Sequence, residues 1–380
     1  MKKILILAVA ATALVACAKS FDKSEATPQE IGFNTWAEHM TKAASNTVGN
    51  TFADGDKFNV YGYKTLSGTA TVVFTGDEVS TTDGTNWSYT NTRYWDTKAT
   101  EYGFFAVSPS GIVATATTTA KDGAFVTSDI QFLGNDNDIL VANKKTVTTI
   151  PLTPTVPLEF NHVASLVDIN VKKSPALDKA TVTISAFSLS NIEDDGVLTV
   201  AASNYNASTG AISVARSDWG ADDGTLKTYL PANGTTPVYG ADNSTAISTT
   251  NKITIAKDSN FDKDTPATTP AGSTPLFTGL VVKPQEFDDS KDAGASQKIT
   301  LTYQITSAGG DVNEHSATLW LADFDTEDDD EQGPSDQIGS WDPGKHYIFY
   351  ITIDANAIEF SASINSWTTP NINGYHYLLN

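Results

Sequence analysis

Ile299-Thr300-Leu301-Thr302-Tyr303-Gln304-Ile305 sets an apolar side chain at every second residue with a polar one between. A period of two sends the two sets to opposite faces of an extended chain, so the stretch predicts a strand half buried on a core. The pattern recurs along the sequence. Phe58, Val60 and Gly62 alternate with Asn59, Tyr61 and Tyr63, and Val163, Val167, Ile169 and Val171 share one face. Tyr347, Phe349, Ile351 and Ile353 repeat it, as do Ile358, Phe360, Ala362 and Ile364. Val182, Ile184 and Ala186 lie in one phase but Phe187 and Leu189 in the other, which predicts a bulge near Ala186-Phe187. Residues 102–107 and 138–142 read as further buried strands, and Ile31-Gly32-Phe33-Asn34 lies in a first one. Residues 36–44 read as a short helix or a loop. Asp194-Asp195-Gly196 and Asp222-Asp223-Gly224 read as turns, and residues 257–275 as a long surface loop.

Helical periodicity is scarce and Gly, Thr, Ser, Asn and Asp are abundant, so the chain is expected to be all-β. About 360 residues of mature chain suggest two domains. The fresh set of strands that begins at Phe160 places them at 29–159 and 160–380. Residues 18–28 are polar and read as a tether.

The first 16 residues carry Lys2 and Lys3 and then an uncharged, nearly all-apolar run, the layout of an export signal. The run is too short to span a bilayer. Leu14-Val15-Ala16-Cys17 resembles the bacterial lipobox, and Cys17 is the only cysteine of 380 residues. By that resemblance residues 1–16 are removed and Cys17, with residues 17–28 as a lipidated tether, receives acyl chains such as palmitate. More than one chain is needed for stable anchoring. With Cys17 so used no disulfide forms, and stability comes from cores.

Losing Lys2 and Lys3 takes the formal net charge from −21 down by two. Such an acidic chain is a poor partner for nucleic acid, which is bound through clustered Lys and Arg. Signals for catalysis are weak: the five histidines, His39, His162, His315, His346 and His376, are scattered, and no G-x-S-x-G, H-E-x-x-H or G-x-G-x-x-G occurs. Gly339 to Gly344-Lys345 has the spacing that opens a phosphate loop, but His346 follows where Ser or Thr is needed and a strand pattern follows where a helix is needed, so it reads as a turn. No enzyme activity and no cofactor are expected. The acidic run Asp323-x-Asp325-x-Glu327-Asp328-Asp329-Asp330-Glu331 offers oxygen ligands for calcium, yet lacks the spacing of an EF-hand and reads as a solvated loop. Trp87, Tyr89, Tyr94 and Trp95 fit either a core or a sugar-stacking surface; alternation puts Trp87 and Tyr89 on one face and splits Tyr94 from Trp95.

Asp56-x-Phe58-x-Val60-Tyr61-Gly62-Tyr63, Trp87-x-Tyr89 with Tyr94-Trp95, Tyr102-Gly103-Phe104-Phe105-Ala106, Asp138 to Ala142, Phe160-x-His162 and Trp341-x-Pro343-Gly344-x-x-Tyr347 with Trp367 occur in an order that resembles the fimbrillin family of Bacteroidetes type V pili. The resemblance implies two tandem transthyretin-like β-sandwich domains in an outer-membrane surface lipoprotein that becomes part of a fimbrium. It further implies that a trypsin-like surface protease removes an N-terminal strand and that a neighbouring subunit's C-terminal strand fills the groove. Mapped here, the removable strand is 31–34 and the cut follows Lys42, the family's usual arginine being absent before Arg93. Lys42 also fits an ordinary surface lysine. The donor is 358–367 or the tail 368–380, and 358–364 suits an edge strand of its own domain equally well. The tail, with Ile372, Tyr375, Tyr377, Leu378 and Leu379, either packs on its own domain or docks on another subunit. The expected partners are other pilus subunits, the outer membrane through Cys17, the protease, and host or bacterial surface ligands in adhesion. The alternative reading is a surface lipoprotein that binds glycans and does not polymerise.

Overall fold

The structure, a computed structural model, describes residues 28–366 apart from 38–51, 53, 117–122, 133–137, 151–154, 221–225, 232–236, 240–246, 251, 256–273, 325–337 and 356–357. Among the described residues the regular elements are strands and short 3-10 turns, so the fold is all-β as the period of two predicts.

The first eleven strands are β1 Gly32–Ala37, β2 Lys57–Leu66, β3 Thr69–Thr81, β4 Trp87–Tyr89, β5 Glu101–Ser108, β6 Val113–Ala116, β7 Phe125–Thr127, β8 Ile130–Gln131, β9 Leu140–Ala142, β10 Lys145–Val147 and β11 Thr155–His162. Eight form one sheet in the order β1-β11-β9-β5-β2-β3-β4, with β10 beside β5. The sheet curls until its two ends meet. The Ile31 N–H donates to the Arg93 carbonyl at 2.8 Å, and the Trp95 N–H to the Gln29 carbonyl at 2.9 Å. Its concave side holds a core of Phe33, Phe58, Val60, Phe74, Phe104, Leu158 and Phe160 among others.

Gly62 stands in the inward phase of β2 because an added Cβ would meet the Phe104 ring at 3.0 Å and the Phe74 ring at 3.1 Å. On the other face, the Tyr63 ring lies over Gly103, where a Cβ would stand 2.2 Å from it, and Tyr63 Oη holds the Glu101 carboxylate at 2.9 Å. Gly103→Ala is therefore expected to cost about 1–3 kcal/mol as overpacking. Thermal melts of the variant would test this, and an unchanged midpoint would mean the tyrosine moves aside freely.

The later strands are β12 Ser165–Lys173, β13 Thr181–Glu193, β14 Asp195–Val200, β15 Trp219–Gly220, β16 Leu226–Pro231, β17 Pro237–Tyr239, β18 Ile253–Thr254, β19 Thr274–Val282, β20 Gln285–Glu286, β21 Lys298–Thr306, β22 Val312–Trp320, β23 Ser340–Trp341, β24 Lys345–Ile353 and β25 Ile358–Ser366. Sheets β19-β12-β24-β25 and β17-β16-β13-β21-β22 enclose a second core between them as a β-sandwich, with Val167, Ile169, Phe349 and Ile351 from one sheet and Ile184, Phe187, Leu301 and Tyr303 from the other. The quoted stretch 299–305 buries its odd residues in this core.

The bulge expected near Ala186 is a register shift between Ile184 and Ala186 against β21. A second shift, unforeseen, falls between Ser190 and Ile192 against β16. Asn191 there takes φ +63° and donates Nδ2 to the carbonyls of Ala293 at 3.2 Å and Ser296 at 2.9 Å. The two shifts change the phase twice, so Val182, Ile184, Phe187, Leu189 and Ile192 all reach the same core.

Two local expectations are corrected. Asp194-Asp195-Gly196 is no hairpin turn: β14 begins at Asp195 and leaves the sandwich to pair with β7, β8 and β15. Gly196 is instead a close approach, since a Cβ would lie 2.7 Å from the Gly220 carbonyl. Val163 precedes β12 and packs apart from Val167, Ile169 and Val171, in a third core with Tyr61, Phe105, Phe125, Leu198 and Trp219. That core joins the outer face of the first sheet to the sheet β15-β14-β7-β6, whose strands come from both parts of the chain.

Burial raises the hydroxyl pKa of Tyr61, Tyr63, Tyr102, Tyr303, Tyr347 and Tyr350 above the ordinary phenol value. The folded chain keeps protons that the unfolded chain loses near pH 10, about the free tyrosine value. Their contribution to stability is complete below that pH and is lost as pH rises toward the folded values. Melting temperatures are expected to fall steadily above pH 10, and a flat profile there would show that these hydroxyls ionise inside the intact fold.

Candidate assembly site

β1 is the strand on which the first core closes. It lies parallel to β11, with Gly32 to Ala37 opposite Thr155 to Phe160, whereas the other pairings of this sheet are antiparallel. A parallel neighbour needs a long connection, and here the connection is the rest of the sheet. The strand that is first in sequence therefore stands at one end of the sheet, beside the last strand of its sheet in sequence. Its extent corrects the expectation for 36–44: Trp36 and Ala37 continue the strand, while residues 38–44 lie outside the described residues.

Ile31 is fully buried and Phe33 is 5% exposed, while Asn34 faces solvent. The Phe33 ring meets Phe74 at 5.3 Å, Tyr89 at 5.8 Å, Phe104 at 6.0 Å and Phe58 at 6.4 Å, in each case edge-on. Such pairs add to the plain burial of a large side chain. On the side away from β11, Tyr89 Oη donates to the Ile31 carbonyl at 2.7 Å and accepts the Arg93 N–H at 3.2 Å. Burial raises the Tyr89 pKa, so it stays a donor. Arg93 is itself held: Nε donates to the Val73 carbonyl at 3.1 Å, Nη2 reaches Asp77 at 3.4 Å, and the guanidinium lies 5.9 Å over the Phe74 ring. The segment is thus bonded to β11 along β1 and to the far end of the sheet through Gln29 and Ile31 just ahead of it, with Phe33 buried below.

Sequence reasoning found β1 but missed this second seam. Tyr89, Arg93 and Trp95 carry no local signal of it, because the partner lies some 60 residues earlier and the pairing depends on how far the sheet curls.

At the other end of the chain, β25 pairs antiparallel with β24 from Ile353–Ile358 to Lys345–Ser366. Ile358 and Ala362 enter the sandwich core, so 358–366 is an edge strand of its own sheet in this chain. Cys17, Lys42, Trp367 and the tail 368–380 lie outside the described residues, as do 325–331 of the acidic run. Asp323 is described and pairs with Lys291 at 2.9 Å. Among the described residues no group of three or more His, Cys, Asp or Glu is placed to hold a metal ion, and no helix is long and apolar enough to cross a membrane.

Of the three described histidines, His315 is exposed on β22 and stacks on the Tyr303 ring at 5.2 Å, and the other two tie strands together. His162 Nδ1 sits 3.0 Å from the buried Asp138 carboxylate, tying the start of β9 to the end of β11, and His346 Nε2 lies 2.9 Å from Asp168. The run from Gly339 holds the short strand β23 and only then a turn, with Gly344 at φ +66°, which leads to Lys345 at the start of β24, so a strand and not a helix follows. Of the aromatic set, Trp87 packs on Phe52 at 5.0 Å and Phe58 at 4.8 Å, Tyr89 on Phe33, and Trp95 on Tyr102 at 4.7 Å. Tyr94 alone of the four is exposed, at 53%. Three of the four residues that a sugar-stacking surface would use are therefore committed to the core.

Comparison with known proteins agrees with this architecture. A fimbrial protein from Bacteroides vulgatus shares the fold, at 15% identity over 88% of this chain and 99% of its own, with a TM-score of 0.50. The tip fimbrial protein Mfa3 from Porphyromonas gingivalis, with C-terminal truncation, matches at 12% identity over 88% of this chain and 98% of its own, with a TM-score of 0.38. No curated protein matches by sequence. The fimbrillin-like family matches residues 41–367, and the chain belongs to that family.

Proposed function

We propose that this chain is an adhesive structural subunit of a cell-surface pilus, exported as a lipoprotein through Cys17, cut after Lys42 and joined to its neighbours by strand exchange. In this reading 29–159 and 160–380 are two tandem transthyretin-like sandwiches, anchored at the outer membrane before assembly. The observation that carries it is β1. One short strand, attached to the rest of the chain by residues 38–51, fills a slot lined by the Phe58, Phe74, Tyr89 and Phe104 rings. Cutting that connection and withdrawing the strand would leave the β11 edge, the Arg93 carbonyl and the Trp95 N–H without partners. An unpaired edge beside an open apolar slot is a template for a strand from another chain.

For the donor, β25 is already used within its own sheet, which favours the tail 368–380. In extended form Tyr375, Tyr377 and Leu379 fall on one side, as a strand filling the Ile31 and Phe33 positions requires.

The test is mass spectrometry of the protein from cell-surface fractions, with and without a trypsin-like protease. An N-terminus just after Lys42 accompanied by SDS-resistant ladders is the expected result, and Lys42→Gln should abolish both. An acylated Cys17 terminus that survives protease, with no ladder, would overturn the reading.

A further inference from the structure

The sheet β19-β12-β24-β25 turns one face to the sandwich core. Its opposite face should meet water, yet it does not. On β12, Asp168, Asn170 and Lys172 are each under 10% exposed, and on β24 Ile348 is 0%, Tyr350 2% and Thr352 7% exposed. The register sets Asp168 beside Ile348, Asn170 beside Tyr350 and Lys172 beside Thr352, one continuous patch across two strands. Ile348 and Tyr350 form a cluster of their own, separate from the three large cores. The third core covers one end of this face through Leu166 and Val281, and Asp168 accepts the Gly279 N–H at 2.6 Å and lies 2.9 Å from His346 Nε2, whereas Ile348 and Tyr350 lie outside all three large cores.

We propose that the C-terminal segment 367–380 folds back in cis across this outer face and seats its apolar residues on Ile348 and Tyr350. Three observations single out this segment. The chain leaves the sheet at Ser366, on the strand next to β24 and opposite Lys345. Tyr350 is five positions along β24, about 17 Å at strand rise, and 14 residues reach about 46 Å when extended. The segment carries Ile372, Tyr375, Tyr377, Leu378 and Leu379, with Pro370 and Gly374 available for the reversal. Residues 256–273, which lead into the other edge of the sheet at β19, are rich in Asp, Thr and Pro with one aromatic, Phe261, and offer no comparable apolar stretch. The docking is read from the unassembled chain and does not rest on the pilus reading.

The test uses the mature chain with Cys17→Ala. Amine acetylation read by mass spectrometry should leave Lys172 protected in the full chain and unprotected in a chain stopped after Ser366. Lys173, which points to the opposite side and donates to the Ala180 carbonyl at 2.6 Å, should be unchanged between the two. Equal Lys172 protection in both chains would overturn the proposal. Should the shortened chain also lose Lys173 protection through misfolding, full-length chains decide the matter. Thr352→Cys combined in turn with Ile372→Cys, Tyr375→Cys or Leu378→Cys should give a disulfide within one chain for at least one pair. Disulfides only between chains would assign the face to a second copy, and none at all would leave the tail elsewhere; either result overturns docking in cis.

Discussion

Phe33→Ala is expected to lower the free energy of unfolding by about 3–5 kcal/mol, the usual cost of truncating a buried aromatic ring. The size follows from its surroundings. Four rings stand edge-on around it, drawn from β2, β3, β4 and β5, and these rings also pack on one another, as Phe74 does on Tyr89 at 5.4 Å. A cavity at that point cannot close by moving one neighbour, because each is held by the next. Asn34→Ala, one residue on and facing solvent, should stay within about 0.5 kcal/mol. Urea melts of the two variants test the contrast. Equal, small effects would mean that β1 lies on the core without being part of it, and the slot would then be no slot.

The strands were legible where one face meets a core and the other meets water. The run 299–305 alternates because β21 is half buried along its whole length, and the Ala186 bulge could be read because a phase change is visible in the letters. Legibility failed where both faces are covered. β12 is buried at every position, so its outer row looks in sequence like an ordinary polar face, and the cover over Asp168, Asn170 and Lys172 left no trace. The Asp194-Asp195-Gly196 triplet has turn composition, but Gly196 is needed for contact with the Gly220 backbone, a reason that local chemistry does not encode. At the assembly site, the strand 31–34 was found from its alternation. Its parallel pairing with β11 and its second seam to Arg93 and Trp95 were not, since both depend on the curl of a sheet whose edges lie far apart in the chain.

A chain cut within 38–51 and stripped of its N-terminal piece is expected to lose most of the stability of its first core. Full burial of Ile31 and Phe33 contributes about 1.5–3 kcal/mol each, and each backbone bond along the two seams adds about 0.5–1.5 kcal/mol net. Together these are comparable with the about 5–15 kcal/mol that holds a whole domain together. The stripped chain should therefore bind any strand that presents apolar residues at the Ile31 and Phe33 positions. A peptide of residues 28–37, added during refolding, should return it to a monomer with the melting behaviour of the intact chain, while the same peptide with Phe33→Asp should not, because a charge would enter the slot unpaired. Without peptide, the stripped chain should recruit strands from its own copies and give SDS-resistant ladders. The donor then declares itself: if the same chain ended at Ser366 no longer forms ladders, the strand comes from 367–380, and if the ladders persist it comes from β25, which must leave its place beside β24. A stripped chain that stays monomeric and melts like the intact protein would end the strand-exchange reading, because it would show that the core closes without β1.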